Sequence, residues 1–172
     1  MSFTHIIGIA DCAVSNDPEA VLVTYALGSC IAVTVHDHVS RVGGMLHLML
    51  PESNIVTART QSNPYMFANT GIPLLFNRAF QQGAEKKRLI VRLVGGAQVM
   101  DDGCVFNIGK RNQLSARKIL WKAGILIHGE EMGGSVSRTV KLEVGTGKLW
   151  VREGAQADRE LVAAAPAAKG GM

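Results

Sequence analysis

Ile31-Ala32-Val33-Thr34-Val35-His36-Asp37-His38-Val39-Ser40-Arg41-Val42-Gly43-Gly44-Met45-Leu46-His47-Leu48-Met49-Leu50 reads as a β-hairpin. Ile31 to His36 is a β-branched run with partial alternation, Asp37 to Ser40 supplies turn residues, and Arg41 to Leu50 returns as an apolar strand. With the turn centred between His38 and Val39, His36 faces Arg41 and Val33 faces Gly44. Cys30, which closes Leu27-Gly28-Ser29-Cys30, then faces His47. Opposed residues share a face, with Cβ atoms ~5 Å apart. The turn alone therefore brings a thiol to an imidazole, the neighbour a mostly protonated cysteine needs to become a nucleophile. A one-residue slip would put the two side chains on opposite faces, and Gly43-Gly44 is a place where a bulge would cause one. The competing reading of Cys30 is a small buried hydrophobe.

Working outward, strand-like segments are Ile6 to Cys12, Val21 to Tyr25, Leu89 to Val94, Ile125 to Gly129, Ser137 to Val144 and Lys148 to Arg152. Gly145-Thr146-Gly147 joins the last two as an antiparallel hairpin. One helix starts near Asn63 as cap, with Pro64 at the first helical position, and stops near Gly83. Gly71 and Pro73 should bend or interrupt it. A second runs from about Gln113 to Ala123, with Asn112 as cap and Gly124 as terminator. The class is α+β or mixed α/β: sheets with about two helices packed on them in one domain, residues 1–154, followed by a flexible Ala/Gly-rich tail, residues 155–172.

The chain has 172 residues, 47% hydrophobic and 19% charged, which suits one globular domain rather than a disordered chain. No apolar run approaches the ~20 residues a bilayer span requires. The start, Met1-Ser2-Phe3-Thr4-His5, lacks signal-peptide character, so a cytoplasmic protein is expected. Three cysteines suit reduced thiols better than a disulfide framework. The net charge of +4 is uneven: residues 1–80 carry three basic and five acidic side chains, residues 81–154 thirteen and seven. The basic groups fall on separate segments, and aromatic residues are only 5% of the chain, so a nucleic-acid platform is disfavoured. A solvated basic face is the favoured reading, and an acidic protein surface is the better partner if that face binds anything.

Other polar residues carry less. Asp101-Asp102 has no His or Cys at ligand spacing, so no metal or other cofactor is expected. His36 and His38 flank the turn and are expected to be exposed. His5 and His128 are isolated, and Cys12 and Cys104 lack a paired histidine. Gly95-Gly96-Ala97 has no P-loop spacing and reads as a turn after a strand. Arg138 reads as a local ion-pair partner or as part of a surface for an acidic partner. Trp150 alternates with Leu149 and Val151 on one strand.

Thr24-Tyr25-Ala26-Leu27-Gly28-Ser29-Cys30 and Gly44-Met45-Leu46-His47-Leu48-Met49-Leu50-Pro51 resemble the CheD family of chemoreceptor glutamine deamidases. So do Gly95-Gly96-Ala97, Asn107-Ile108-Gly109-Lys110-Arg111-Asn112, Gly133-Gly134 with Arg138, and Gly145 to Arg152, in order over about residues 5–152. The resemblance implies two packed β-sheets with helices on one side, similar to the catalytic domain of cytotoxic necrotizing factor. It implies a cysteine amidohydrolase, a protein-glutamine glutaminase. It would convert glutamines to glutamates on the cytoplasmic region of methyl-accepting chemoreceptors through a thioester, with a receptor methylesterase side activity. The alternative it implies is a non-catalytic partner and regulator of the CheC phosphatase. It puts the nucleophile at Cys30, the histidine at His47 and the threonine at Thr24. Gly28 and Ser29 fall beside the expected oxyanion site, and Gly96 and Ala97 in a pocket wall. The sequence departs from the family at Tyr25-Ala26, where Leu-Gly is usual. Glycine takes a positive φ freely and alanine only at a cost, so the backbone path into the nucleophile is where a difference is expected.

Overall fold

Ten strands and two helices of the computed structural model, which describes residues 2–53, 63–99 and 107–164, stack as helices, sheet, sheet. One sheet runs β1-β3-β8-β9-β10 and the other β2-β5-β4-β6-β7, where β1 is Phe3–Ile6, β2 Asp11–Ser15, β3 Ala20–Leu27, β4 Ile31–Asp37 and β5 Val42–Leu48. β6 is Ile90–Gly95, β7 Gly129–Met132, β8 Arg138–Glu143, β9 Leu149–Glu153 and β10 Arg159–Glu160. Both sheets are mixed: β1 lies parallel to β3 and β6 parallel to β7, while the other pairs are antiparallel. This is the α+β domain that the strand and helix pattern predicts, with the two packed sheets that the family resemblance implies.

Alternation along β4 and β5 builds two cores from one sheet. Ile31, Val33, Val35, Leu46 and Leu48 face α1 (Ala68–Gln81) and α2 (Ile108–Lys122). Ala32 and Met45 face the other sheet and meet Leu22, Leu27, Val140 and Leu142. Each strand of the central hairpin is buried on both faces, so its polar residues have no solvent side. His36, expected to be exposed, is accordingly buried and bonds the Val144 carbonyl at 2.8 Å; His38, one residue into the loop, is exposed.

The hairpin register differs from the expected one by two residues. Asp37 pairs with Val42, leaving a four-residue loop, so His47 pairs with Ala32 rather than facing Cys30. Asp37 itself sets this. Its buried carboxylate accepts the backbone N–H groups of Val39 and Ser40 across the loop, the N–H of Glu85, and the Arg88 guanidinium. Burial alone would raise its pKa, but these donors hold it well below the usual carboxylate range. Gly43 and Gly44 stay in unbroken register with His36 and Val35, with no bulge. A shift of two conserves parity, so the face assignments survive.

Other boundaries moved. The strand expected over Ile6 to Cys12 divides into β1 and β2, in different sheets, with Ala10 at φ 57° in the crossing. The first helix breaks at Phe67 rather than at Gly71 or Pro73. Asn63 caps only a short 3₁₀ turn, Pro64–Met66. Phe67 is pulled into an extended bridge with Leu50, and α1 follows with Gly71 and Pro73 inside it. β7 begins at Gly129, where the expected strand ended. The hairpin over β8 and β9 forms as expected, and past residue 154 β10 pairs with β9.

Candidate active site

A crossing between the sheets builds the site. β3 lies in one sheet and β4 in the other, so residues 28–30 carry the chain across. The crossing starts at a bulge: Thr24 pairs with Val140 but Leu27 with Arg138, three steps on β3 against two on β8. Ala26 takes up the extra residue at φ 56°, so the alanine adopts the conformation for which glycine is suited. At Tyr25-Ala26, where a difference from the family was expected, the chain holds a strained left-handed alanine. Holding alanine in this region costs about 1–2 kcal/mol.

The carbonyls of Gly28, Ser29 and Cys30 are each tied down. Ala97 N–H donates to the Gly28 carbonyl at 2.8 Å, the Asn112 side-chain amide to Ser29 at 2.9 Å, and Gly96 N–H to Cys30 at 2.8 Å. The clasp needs bare backbone. A Cβ on Gly95, at φ 121°, would overlap the Cys30 carbonyl, and one on Gly109 would stand 2.6 Å from the Ala97 carbonyl. Among the described residues, the backbone N–H groups of Ser29 and Cys30 donate to no protein acceptor outside their own residues.

Thr24 and His47 meet between the sheets, both fully buried. Thr24 Oγ1 lies 2.7 Å from the Ile7 carbonyl and 2.7 Å from His47 Nδ1. A hydroxyl has one hydrogen, and a carbonyl only accepts. The hydrogen therefore goes to Ile7, and Nδ1 must be the donor toward Thr24. This fixes the tautomer: Nε2 carries the lone pair. Nε2 is buried and has no hydrogen-bond partner among the described residues. Burial lowers the His47 pKa to about 4, so the ring is neutral at pH 7.

Cys30 packs against the same inter-sheet core from the edge. It stands two residues before Ala32, the partner of His47, so thiol and imidazole are diagonal neighbours on one face rather than directly opposed. Diagonal Cβ atoms lie ~7 Å apart, and in this structure Nε2 makes no hydrogen bond to the thiol. Cys30 is half-buried and lines a cavity of about 400 Å³. Burial pushes its thiol pKa up, and its own backbone N–H offsets part of that rise. The resting pair is thus a thiol and a neutral imidazole.

The cavity has three walls: Gly28 and Ser29 from the crossing, Ala97 and Val99 after β6, and Ile108 and Gly109 at the start of α2. The positive end of the α2 dipole therefore lies beside the thiol. Of the expected site residues, Gly28, Ser29, Cys30 and Ala97 line the cavity. Thr24 and His47 sit behind it, and Gly96 acts through its bond to Cys30.

The sequence reading missed Asn112. It is not a cap: α2 begins at Ile108, after Asn107 at φ 41°, and buries Asn112 in its second turn. Its amide donates 2.9 Å bonds to both the Ser29 and Met49 carbonyls, joining the cysteine loop to the strand that carries His47. The only signal was a polar residue among the apolar positions of the helix's inner face. Arg138 is buried and pairs with Glu131 and Glu153 while bonding the Gly95 and Gly133 carbonyls, which favours its local reading. Among the described residues no cluster of His, Cys, Asp or Glu could hold a metal ion, and no helix is long and apolar enough to cross a membrane. Asp101, Asp102 and Cys104 lie outside the described residues.

The family model for CheD chemotactic sensory transduction matches residues 49–153. A relative from Solibacter usitatus, named as a probable chemoreceptor glutamine deamidase CheD, is 55% identical over 166 residues, 96% of this chain and 97% of its own. One from Syntrophus aciditrophicus with the same description is 49% identical, covering 91% and 98%. One from Pyrococcus abyssi is 40% identical, covering 86% and 90%. The family-model match begins after Thr24, Cys30 and His47, whereas the Solibacter alignment is long enough to include them.

Proposed function

This chain belongs to the CheD family, and on that premise we propose that it is a chemoreceptor glutamine deamidase working through a Cys30 thioester. The observation that carries the mechanism is the single hydrogen on Thr24. It leaves Nε2 of His47 as a free base on the face that Cys30 shares.

In this reading a glutamine side chain enters the cavity. Nε2 takes the Sγ proton as sulfur attacks the amide carbon, so thiolate forms only as it is used. The oxyanion is held by the Ser29 and Cys30 N–H groups, whose loop is clasped through its carbonyls; one such donor contributes ~3 kcal/mol in comparable hydrolases. The Nε2 proton passes to the leaving nitrogen, the C–N bond breaks, and ammonia departs. Water then gives a proton to Nε2 and attacks the thioester carbon. The C–S bond breaks, the sulfur recovers its proton, and glutamate is released. Thr24 holds the ring throughout by accepting from Nδ1, the part a carboxylate plays in related triads. A glutamate methyl ester would form the same thioester with methanol as leaving group, so methylesterase activity belongs to this proposal.

The test is intact-mass analysis of a receptor cytoplasmic fragment incubated with the protein. Conversion adds about 1 Da at selected glutamines as nitrogen leaves and oxygen enters. Cys30→Ala should abolish it, and full turnover by that variant would remove the mechanism.

A further inference from the structure

The outer face of α2 carries features that the chemistry does not use. Six of its residues are exposed: Lys110, Arg111, Leu114, Lys118, Trp121 and Lys122. Their spacing makes one stripe along the whole helix, opposite the buried Gly109, Asn112, Ala116 and Leu120. Trp121 is 79% and Leu114 55% exposed. α2 has five cations and no carboxylate. Arg117, off the stripe, is bonded to Glu130. Lys110, Arg111, Lys118 and Lys122 form no ion pair among the described residues. Solvated helices ordinarily mix charges of both signs and leave large apolar groups inside. Trp and Arg are also the residue types that concentrate at binding surfaces.

A shallow groove runs beside the stripe, lined by Arg111, Leu114, Lys118 and Lys122 on one side and by Pro51 and Asn69 on the other; Glu52 is its one described carboxylate. The stripe is also continuous with the site, because Ile108 and Gly109 at the head of the same helix line the Cys30 cavity. From there to Trp121 is ~20 Å along the axis.

We infer that this stripe docks an acidic amphipathic α-helix of the substrate protein, with carboxylates at three-to-four-residue spacing and small apolar residues between them. The inference rests on the deamidase reading for the identity of the occupant. Charge complementarity selects an acidic partner, and the helical spacing of cations and apolar groups selects a helix. A helix lying there carries its glutamine at the end over the cavity, within about four turns of its docking carboxylates. The glutamine is then chosen by its distance from an acidic face, not by its immediate neighbours alone.

The experiment uses full-length Cys30→Ala protein and two synthetic helical peptides of about 20 residues, ~30 Å long. Each carries glutamates along one face, with one glutamine at the N-terminal end in the first and at the C-terminal end in the second. Fluorescence anisotropy of labelled peptide gives affinity, and Trp121 emission, against a Trp121→Phe control, reports contact. One peptide should bind, weaken with salt, and shift Trp121 emission. Lys118→Glu with Lys122→Glu should weaken it at least about tenfold, while Lys87→Glu, an exposed cation elsewhere, should not. Binding by neither peptide, or undiminished binding by the double variant, overturns the docking. Docking that behaves as described, with no conversion of the peptide glutamine by protein retaining Cys30, keeps the docking and overturns the deamidase reading.

Discussion

Replacing Thr24 with valine keeps the side chain's shape and removes its oxygen. Two buried partners are then stranded: the Ile7 carbonyl and the Nδ1–H of His47. Each such loss costs ~1–3 kcal/mol, and the added methyl returns less than one of them, so a net destabilisation of about 2–4 kcal/mol is expected. The catalytic consequence is separate. With nothing accepting from Nδ1, the ring is free to rotate and to place its proton on Nε2, where it can no longer take one from sulfur. Wrong-tautomer and lost-base effects in comparable hydrolases span ~10²–10⁴. Because a neutral hydroxyl contributes less than a carboxylate, a fall in kcat of about 10²–10³ is expected, with KM nearly unchanged. Thr24→Ser retains the hydroxyl and should recover most of the rate while losing about 1 kcal/mol for its methyl. Urea denaturation gives the first quantity and deamidation kinetics on a receptor fragment the second. Native kcat in a folded Thr24→Val protein would refute the tautomer argument.

Ala26→Gly should stabilise the protein. Relief of the φ 56° strain, ~1–2 kcal/mol, exceeds the ~0.4–1 kcal/mol of added chain entropy, for a gain of about 0.5–1 kcal/mol and a Tm rise of ~1–4 °C by calorimetry; a lower Tm would contradict the left-handed assignment. Asn112→Ala strands the Ser29 and Met49 carbonyls and should cost about 2–4 kcal/mol in urea melts, with kcat falling more than KM rises. A variant as stable and active as the parent would return Asn112 to the role of a simple surface cap. The pH dependence of stability follows from His47, whose folded pKa of about 4 lies below its ordinary 6.5. Between those values the unfolded chain binds the extra proton. The contribution is therefore complete above about pH 6.5 and is lost as pH falls toward 4, by up to about 3 kcal/mol. His36, also lowered by burial, acts in the same direction. Urea midpoints flat from pH 7 to 4 would contradict both.

How far the site was legible depends on what each inference needed. The face shared by Cys30 and His47 follows from strand parity, which survives any even slip. Their direct opposition required the turn itself, and that was set by the Asp37 carboxylate, whose partners Glu85 and Arg88 come from far along the chain. The burial of His36 depends on the second sheet covering β4, which no local pattern announces. Asn112 was misread because Asn is a common cap and its true partners, Ser29 and Met49, are distant in sequence. Gly95 and Gly96 were legible as turn residues. That Gly95 and Gly109 clear space around the cysteine loop emerged only with the packing.

The central claim is a covalent bond between Cys30 and a glutamine carbon. Acid quench of a single turnover with a glutamine peptide, followed by intact mass and peptide mapping, reads that bond. The account predicts a species equal to protein plus peptide less ammonia, with the adduct on Cys30. Product forming while the adduct maps to another residue, or forming at the native rate in Cys30→Ala, would contradict it.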